Sequence, residues 1–196
     1  EGSEPQRLTY QAANAIVAGW TPDGSAIYYA SNAEGPYSHV HELWTQPAKG
    51  GTPTRLPYGP ADCITHGPNG AMALARHGRR DPARWKRYRG GTAGRLWVDA
   101  SGDGEFVPLA PVESAYATPM WIGDRIYFVS DHEGIGNIYS CLPDGEDLRR
   151  HTDHDEYYVR GASTDGTRIA YQSGAELYVH DTASDSAQRV GVDYHS

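Results

Sequence analysis

The strongest constraint on the fold is a tight turn that recurs four times along the chain. Each copy holds Asp or Asn next to, or one residue from, Gly, and the copies are at Gly19–Gly24, His66–Gly70, Trp121–Asp124 and Ser163–Gly166. The Asp or Asn side chain is expected to bond to the local backbone, and Gly to take the positive φ that such turns require. Successive turns lie about 40 to 55 residues apart, a spacing that fits one β-propeller blade.

Two strand-like segments with a shared pattern follow each turn. The segments directly after the turns are Ala26–Ser31, Ala71–Arg76, Arg125–Ser130 and Arg168–Ser173. The next segments have an aliphatic second position and an aromatic third position, and they are Glu42–Gln46, Arg95–Asp99, Asn137–Cys141 and Glu176–His180. Because adjacent residues of a strand point to opposite faces, both faces of these strands are predicted to be covered by neighbouring blades.

A first strand before each turn and a polar outer strand complete each unit. First strands are predicted at Ala15–Gly19, Asp62–Thr65, Ala117–Trp121 and Tyr158–Gly161, and outer strands at Thr54–Leu56, Phe106–Leu109, Leu148–His151 and Gln188–Val190. The sequence therefore predicts an all-β protein, a β-propeller region of about four four-stranded blades, with approximate bounds 11–57, 58–111, 112–152 and 153–192. Residues 1–10 resemble the end of a preceding blade, so we expect 1–196 to be one partial propeller domain of a larger ring.

Composition agrees with this fold and limits the partners. The 196 residues include 14 Tyr, 5 Trp, 23 Gly and 13 Pro, which favours many short strands and turns. A net charge of −8 argues against a dedicated nucleic-acid-binding protein. No apolar run is long enough to cross a bilayer, so no membrane partner is predicted. Cys63 and Cys141 are interpreted as buried thiols of a reducing compartment.

Function is expected at the end of the blades that carries the loops between second and third strands and the links between blades. The loop after Arg76 is unusual, because the segment from Arg76 to Arg89, with both ends included, contains seven Arg and Lys residues. Three interpretations stay open: an arm whose cations pair with Asp and Glu and stack on aromatics, a nucleic-acid groove, or a lining for peptide carboxylates. The substrate-binding candidates are Arg79, Arg80, Arg84, Lys86, Arg87 and Arg89.

The remaining motifs predict no catalysis, metal or cofactor. His151–Glu156 carries metal-ligating side chains but no spacing that fixes them, so a solvated polar loop is favoured, and Asp131–Gly134 is interpreted as a hairpin loop. No serine lies in a Gly-x-Ser-x-Gly elbow. Gly90–Gly94 precedes a strand and lacks the lysine of a phosphate loop, which favours a glycine turn. We therefore assign no catalytic residue, no metal ligand and no cofactor to this chain.

Three stretches carry a family resemblance. Trp85–Trp97 has the sequence WKRYRGGTAGRLW, Arg125–Ser140 has RIYFVSDHEGIGNIYS, and Asp144–Thr152 has DGEDLRRHT. Together with Tyr157–Arg160 and Thr164–Ile169, they resemble the first N-terminal propeller of the tricorn proteases. The likeness extends from Pro82 to Asp181 and, more weakly, back to Arg7.

The resemblance implies that this region belongs to a six-bladed propeller, followed by a seven-bladed propeller and a catalytic core with a PDZ domain. It implies a cytoplasmic serine protease that degrades oligopeptides downstream of the proteasome and whose propellers guide substrates. The implied partners are oligopeptide substrates, the other domains of the parent protease and further copies in a homo-hexamer. The family's catalytic residues all lie outside this propeller, so none is carried over to this chain.

One feature of the family is missing from this sequence. The paired arginines that hold the substrate C-terminus lie on the link before the first blade, and the corresponding segment here, Tyr10–Asn14, has the sequence YQAAN. Arg79 and Arg80 form a pair in a different loop and are not assigned that role. Two alternative functions stay open: a TolB-like propeller that binds a protein partner, and the propeller cap of a prolyl-oligopeptidase-type hydrolase.

Overall fold

Short antiparallel strands make up the regular structure of this chain. The computed structural model describes residues 4–35, 37–78, 84 and 86–192. These residues form sixteen β-strands and a 3₁₀ turn at Pro68–Gly70, so the all-β prediction is confirmed. Within the described ranges, no helix has the length and apolar character needed to span a membrane. The chain divides into two compact units, residues 1–64 and 65–196.

The first unit contains one antiparallel sheet in the strand order β1-β2-β3-β4. Its strands are β1 (Ile16–Trp20), β2 (Ala26–Ser31), β3 (Glu42–Pro47) and β4 (Thr54–Pro60). The outer strand is longer than the predicted Thr54–Leu56 and passes the predicted blade boundary at residue 57. The ladder resumes after an irregularity and pairs Glu42 with Pro60, so β4 continues through Pro60.

The same four-strand meander recurs three more times. The second sheet consists of β5 (Cys63–His66), β6 (Met72–Arg76), β7 (Arg95–Asp99) and β8 (Val107–Leu109). The boundary between the two compact units falls within β5. The third consists of β9 (Tyr116–Ile122), β10 (Arg125–Ser130), β11 (Asn137–Cys141) and β12 (Arg149–Arg150). The fourth consists of β13 (Val159–Thr164), β14 (Arg168–Ser173), β15 (Glu176–Asp181) and β16 (Ser186–Arg189).

The predicted turn chemistry is present where the first and second strands of each sheet meet. All four turn glycines have positive φ, namely Gly24, Gly70, Gly123 and Gly166. In two turns an aspartate also accepts backbone hydrogen bonds, from the Ser25 N–H at 3.0 Å to Asp23 and from the Arg168 N–H at 2.8 Å to Asp165. The repeated Asp-Gly pattern thus fixes the hairpins through local bonds and glycine conformation.

The third and fourth sheets pack face to face through a common hydrophobic core. Large members of this core are Tyr127 and Ile138 from the third sheet and Ile169 and Tyr171 from the fourth, all buried. Burying one such side chain contributes about 1.5–3 kcal/mol, so this cluster is a major source of stability in the second unit.

The aliphatic column of the third strands is buried in three sheets and exposed in one. Leu43, Leu96 and Ile138 are at most 1% exposed, whereas Leu177 of β15 is 50% exposed. The prediction that both faces of these strands are covered is therefore wrong for β15. In the part of the chain that the structure describes, no sheet packs on the face of β15 that carries Leu177.

Candidate functional site

The loops at one end of the third and fourth sheets are joined by hydrogen bonds. The Tyr158 hydroxyl donates to the Gly134 carbonyl at 2.9 Å, and the Val159 N–H donates to the Gly136 carbonyl at 2.8 Å. Asn137, which is fully buried, accepts a bond from the His154 N–H and donates to the His154 carbonyl, both at 2.9 Å. The β10–β11 loop and the β12–β13 link thus form a connected surface.

The basic loop is fastened to this surface by one buried carboxylate. Asp131 is fully buried and accepts a bond from the Arg87 N–H at 2.5 Å. The Arg89 Nη1 atom lies 3.0 Å from Asp131 Oδ1 and forms an ion pair with it. Farther back, the Arg76 guanidinium lies 4.4 Å from the Trp97 ring centroid. These contacts favour the interpretation of the loop as an arm held by ion pairs and aromatic stacking.

The same contacts divide the predicted substrate-binding residues into groups. The Arg89 guanidinium is ion-paired with Asp131, whereas Arg84, Lys86 and Arg87 are exposed. The Lys86 Nζ atom lies 5.2 Å from the centroid of the Tyr158 ring, a cation–π distance. Two further candidates, Arg79 and Arg80, lie outside the described residues, as does Trp85 of the family motif.

Lys86 borders an open pocket of about 330 Å³, here called the Lys86 pocket. The Gln172 Nε2 atom donates to the Gly174 carbonyl at 2.9 Å, and the half-exposed Tyr157 ring lies against Gly174. The lining carries two cations and one carboxylate and consists of Lys86, Glu156, Tyr157, Tyr158, Arg160, Gln172 and Gly174.

A second pocket of about 290 Å³, here called the acidic pocket, is also lined by Tyr157. It shares Glu156, Tyr157 and Gly174 with the Lys86 pocket and adds the carboxylates of Asp155 and Glu176. Burial lowers the pKa of His154 in its wall, which keeps that imidazole neutral near pH 7. The two pockets share the exposed Tyr157 and the Glu156 carboxylate, and only the Lys86 pocket adds cations, from Lys86 and Arg160.

The interpretation of His151–Glu156 as a solvated polar loop is wrong for its two histidines. The His151 side chain is 4% exposed, and His154 is half-buried against Tyr171 and Tyr178. The link follows the packed face between two sheets, so its polar sequence does not imply exposure.

His151 also occupies the centre of a serine–histidine–aspartate chain. Its Nε2 atom lies 2.7 Å from Ser140 Oγ, and its Nδ1 atom lies 2.6 Å from Asp185 Oδ1. This order of contacts is that of a hydrolase triad. Ser140 is fully buried, however, and Arg125 Nε donates to its Oγ atom at 2.8 Å, so the hydroxyl cannot be reached by a substrate.

The two cysteines differ in their exposure. Cys141 is fully buried, and burial raises the pKa of its thiol to about 12. Cys63 is half-buried, and neither residue forms a disulfide. Since the thiolate is the nucleophilic form, Cys141 is an inert core residue at neutral pH.

Comparisons with known proteins agree on one family. A family model described as the tricorn protease N-terminal beta propeller domain matches residues 1–186, which confirms the propeller prediction. Tricorn protease homolog 1 of Streptomyces coelicolor is 45% identical over 185 residues, covering 92% of this chain and 17% of that protein. This chain therefore spans less than a fifth of the length of that relative.

Solved structures give the same result. The crystal structure of the tricorn protease matches with a TM-score of 0.84 and 33% identity, covering 93% of this chain and 18% of that chain. A putative TolB from Agrobacterium tumefaciens matches with a TM-score of 0.67 and 17% identity, covering 93% of this chain and 66% of that chain. The second likeness is one of fold alone.

Proposed function

Because the chain belongs to the tricorn protease N-terminal β-propeller domain family, we propose that it is a non-catalytic propeller region of a tricorn-like cytoplasmic serine protease. In this proposal it is part of a six-bladed ring and guides oligopeptides, released by the proteasome, toward a catalytic core elsewhere in the parent protein. The parent assembles as a homo-hexamer. Family membership and the 45% identity to a tricorn protease homolog support this assignment.

The charge arrangement around Tyr157 is the observation that supports peptide binding here. An extended peptide ends in a carboxylate and an ammonium group. Lys86 and Arg160 would bind the carboxylate, since guanidinium and ammonium groups form strong charge-assisted hydrogen bonds with it. Asp155 and Glu176 of the acidic pocket would bind the amino end. The Lys86 pocket would thereby supply cations that the Tyr10–Asn14 segment lacks.

Peptide binding by the chain tests this assignment directly. Calorimetry should detect binding of short peptides with a free C-terminal carboxylate and weaker binding of their C-terminal amides. The double variant Lys86→Gln/Arg160→Gln should weaken binding at least about tenfold, because a hydrogen bond to a charged group contributes roughly 1.5–3 kcal/mol. Arg168→Gln, which removes an exposed arginine at the start of β14, is the matched control and should bind as the wild type does. Equal affinity for acids and amides would contradict the proposed carboxylate site.

The role in the parent protease needs a separate readout. In the full protease, the same double variant should raise KM for long oligopeptides and leave hydrolysis of short chromogenic tripeptides unchanged. The 196-residue chain by itself should hydrolyse neither. Turnover by the purified chain that survives controls for contaminating proteases would overturn its non-catalytic assignment.

A further inference from the structure

His151, His180 and Asp185 meet where the third and fourth sheets pack together. His151 follows β12, His180 lies near the end of β15, and Asp185 ends the turn before β16. Asp185 Oδ1 lies 2.6 Å from His151 Nδ1 and 3.4 Å from His180 Nε2, and the three potential ligand atoms all lie within 4.8 Å of one another. Two imidazoles from different sheets thus face one carboxylate.

His180 is the unexplained member of this group. It is fully buried, yet neither of its ring nitrogens makes a hydrogen bond to a described residue. Buried polar groups are normally satisfied, because leaving one unpaired costs free energy. An additional partner at the Nε2 atom, which faces Asp185, would relieve this cost for that nitrogen.

The polar residues at the same position in the first and second sheets make hydrogen bonds to their turns, although Gln46 Oε1 has no hydrogen-bond partner among the described residues. Gln46, at the same position of β3, donates to the Gly51 carbonyl at 3.1 Å. Asp99, at the same position of β7, accepts bonds from the Gly102 and Gly104 N–H groups at 2.7 and 2.8 Å. In β15 the turn is instead held by Asp181, which accepts bonds from Ala183 and Ser184. His180 makes no hydrogen bond to its turn and approaches it at Asp185, 3.4 Å from Nε2.

We propose that His151, His180 and Asp185 bind a divalent transition-metal ion of the Zn²⁺ class. Two imidazole nitrogens and one carboxylate oxygen are a ligand set that zinc uses when water fills the fourth position. Mg²⁺ and Ca²⁺ prefer all-oxygen sites, so the two imidazoles select against them. This site is separate from the two pockets proposed to bind peptide.

The distances suit this ion after a small adjustment. Ligand bonds of about 2.0–2.1 Å at tetrahedral angles place ligand atoms about 3.3 Å apart. The 3.4 Å separation of His180 Nε2 and Asp185 Oδ1 already matches that value. The 2.6 Å separation of His151 Nδ1 and Asp185 Oδ1 is that of a hydrogen bond and must widen. Asp185 can move, because its side chain is 60% exposed in a turn. The metal ion would enter the site from solvent at this exposed carboxylate.

Ser140 orients the imidazole of His151. Ser140 Oγ lies 2.7 Å from His151 Nε2 and is itself held by Arg125 Nε at 2.8 Å. Metal-binding histidines commonly donate their second N–H to such a partner. Metal binding at His151 Nδ1 would place the imidazole proton on Nε2, where Ser140 Oγ can accept it. Burial, followed by the neighbouring His151, lowers the pKa of His180 and keeps its ring in the neutral, ligating form.

Metal titration of the full 196-residue chain tests the site. After treatment with a chelator, the chain should bind one equivalent of Zn²⁺ by calorimetry, with an increase in Tm. It should give the visible absorption bands of tetrahedral Co²⁺ when Co²⁺ is added. Asp185→Ala and His180→Gln should each weaken Zn²⁺ binding by at least about 100-fold and abolish the Co²⁺ bands.

Two matched controls separate this site from general histidine or carboxylate binding. His154→Gln removes the other half-buried histidine of the same link, and Asp153→Asn removes an exposed carboxylate near it. Both should bind Zn²⁺ as the wild type does. Asp185→Ala removes the partner of His151 Nδ1 but leaves both imidazoles in place, and the changed side chain is 60% exposed, so it keeps the test valid if His180→Gln fails to fold by circular dichroism. Absence of stoichiometric Zn²⁺ binding, or retention of binding by Asp185→Ala, would overturn the proposal.

Discussion

At the scale of single residues, Asp131 has the largest structural role in the basic loop. Its carboxylate is fully buried and is satisfied by the Arg87 N–H and the Arg89 guanidinium. A buried charge is tolerated only when it is paired and hydrogen-bonded, so removal of one partner leaves an uncompensated carboxylate in the core. The density of arginines in this loop is thus explained in part by a single buried anion.

Arg89→Ala should therefore lower the free energy of unfolding by about 2–4 kcal/mol, somewhat less than the roughly 3–5 kcal/mol for a fully buried pair, because the Arg89 side chain is 29% exposed. Arg84→Ala is the matched control, because Arg84 is an exposed arginine of the same loop, and its effect should stay within about 0.5 kcal/mol. Urea denaturation followed by tryptophan fluorescence measures both. If the two variants lose the same stability, Asp131 does not depend on Arg89.

At the scale of the elements, the glycine turn before β7 contains one position at which glycine is required by packing. A Cβ atom added to Gly94 would lie 1.9 Å from the Tyr116 carbonyl oxygen, and the Gly94 carbonyl accepts a bond from the Tyr116 N–H at 3.0 Å. This contact brings the start of β7 against the start of β9. At Gly91 an added Cβ would meet nothing within 4 Å.

Gly94→Ala should destabilise the second unit by about 3 kcal/mol, because the clash is with backbone and must shift one of the two strands. Gly91→Ala should change stability by less than about 1 kcal/mol, with a slight increase possible from the lower entropy of the unfolded chain. Thermal and urea unfolding of the two variants measure this difference. A Gly94→Ala variant as stable as Gly91→Ala would contradict the close approach of the two strands.

The strands were largely predictable because their signals are local and repeated. Two features recur in all four sheets: a turn glycine with positive φ, and an aliphatic column that includes Leu96 and Ile138. The structure confirms the turn glycines in every sheet and the burial of Leu96 and Ile138. The exposure of Leu177 was not predictable from the column, because burial depends on whether another sheet packs against that face.

The contacts of the candidate sites could be predicted much less well, because they join residues distant in sequence. The Arg89–Asp131 pair spans 42 residues and the His151–Asp185 contact spans 34. Neither separation has a sequence signal, since both contacts depend on how neighbouring sheets and loops meet. His180 had a weak signal in the sequence. It is a polar residue at the fifth position of the third strands, which is buried in every sheet, and its polar counterparts there are Gln46 and Asp99.

At the scale of the whole molecule, buried neutral histidines link stability to pH. The His132 ring lies 4.4 Å from the Tyr139 ring, and burial lowers its pKa, with Glu133 partly opposing the shift. His154 lies between Tyr171 and Tyr178, and burial lowers its pKa as well, with Asp155 and Asp153 opposing. In both cases the folded chain binds a proton less readily than the unfolded chain does.

Stability should consequently be constant above about pH 6.5, the unfolded pKa of histidine, and should fall as the pH decreases below it. The sign follows because the unfolded state takes up more protons in this window, so acid favours unfolding. The pKa of Asp23 is lowered to about 2 by hydrogen bonds from Thr21 and Ser25. The stabilisation from such carboxylates is lost only below the ordinary aspartate pKa, so that pH range does not overlap with the histidine range. Urea midpoints between pH 7.5 and 5.0, measured with a chelator present, should decrease toward acid. His154→Gln should reduce the slope, whereas midpoints that rise toward pH 5.0 would show that these histidines gain protons on folding.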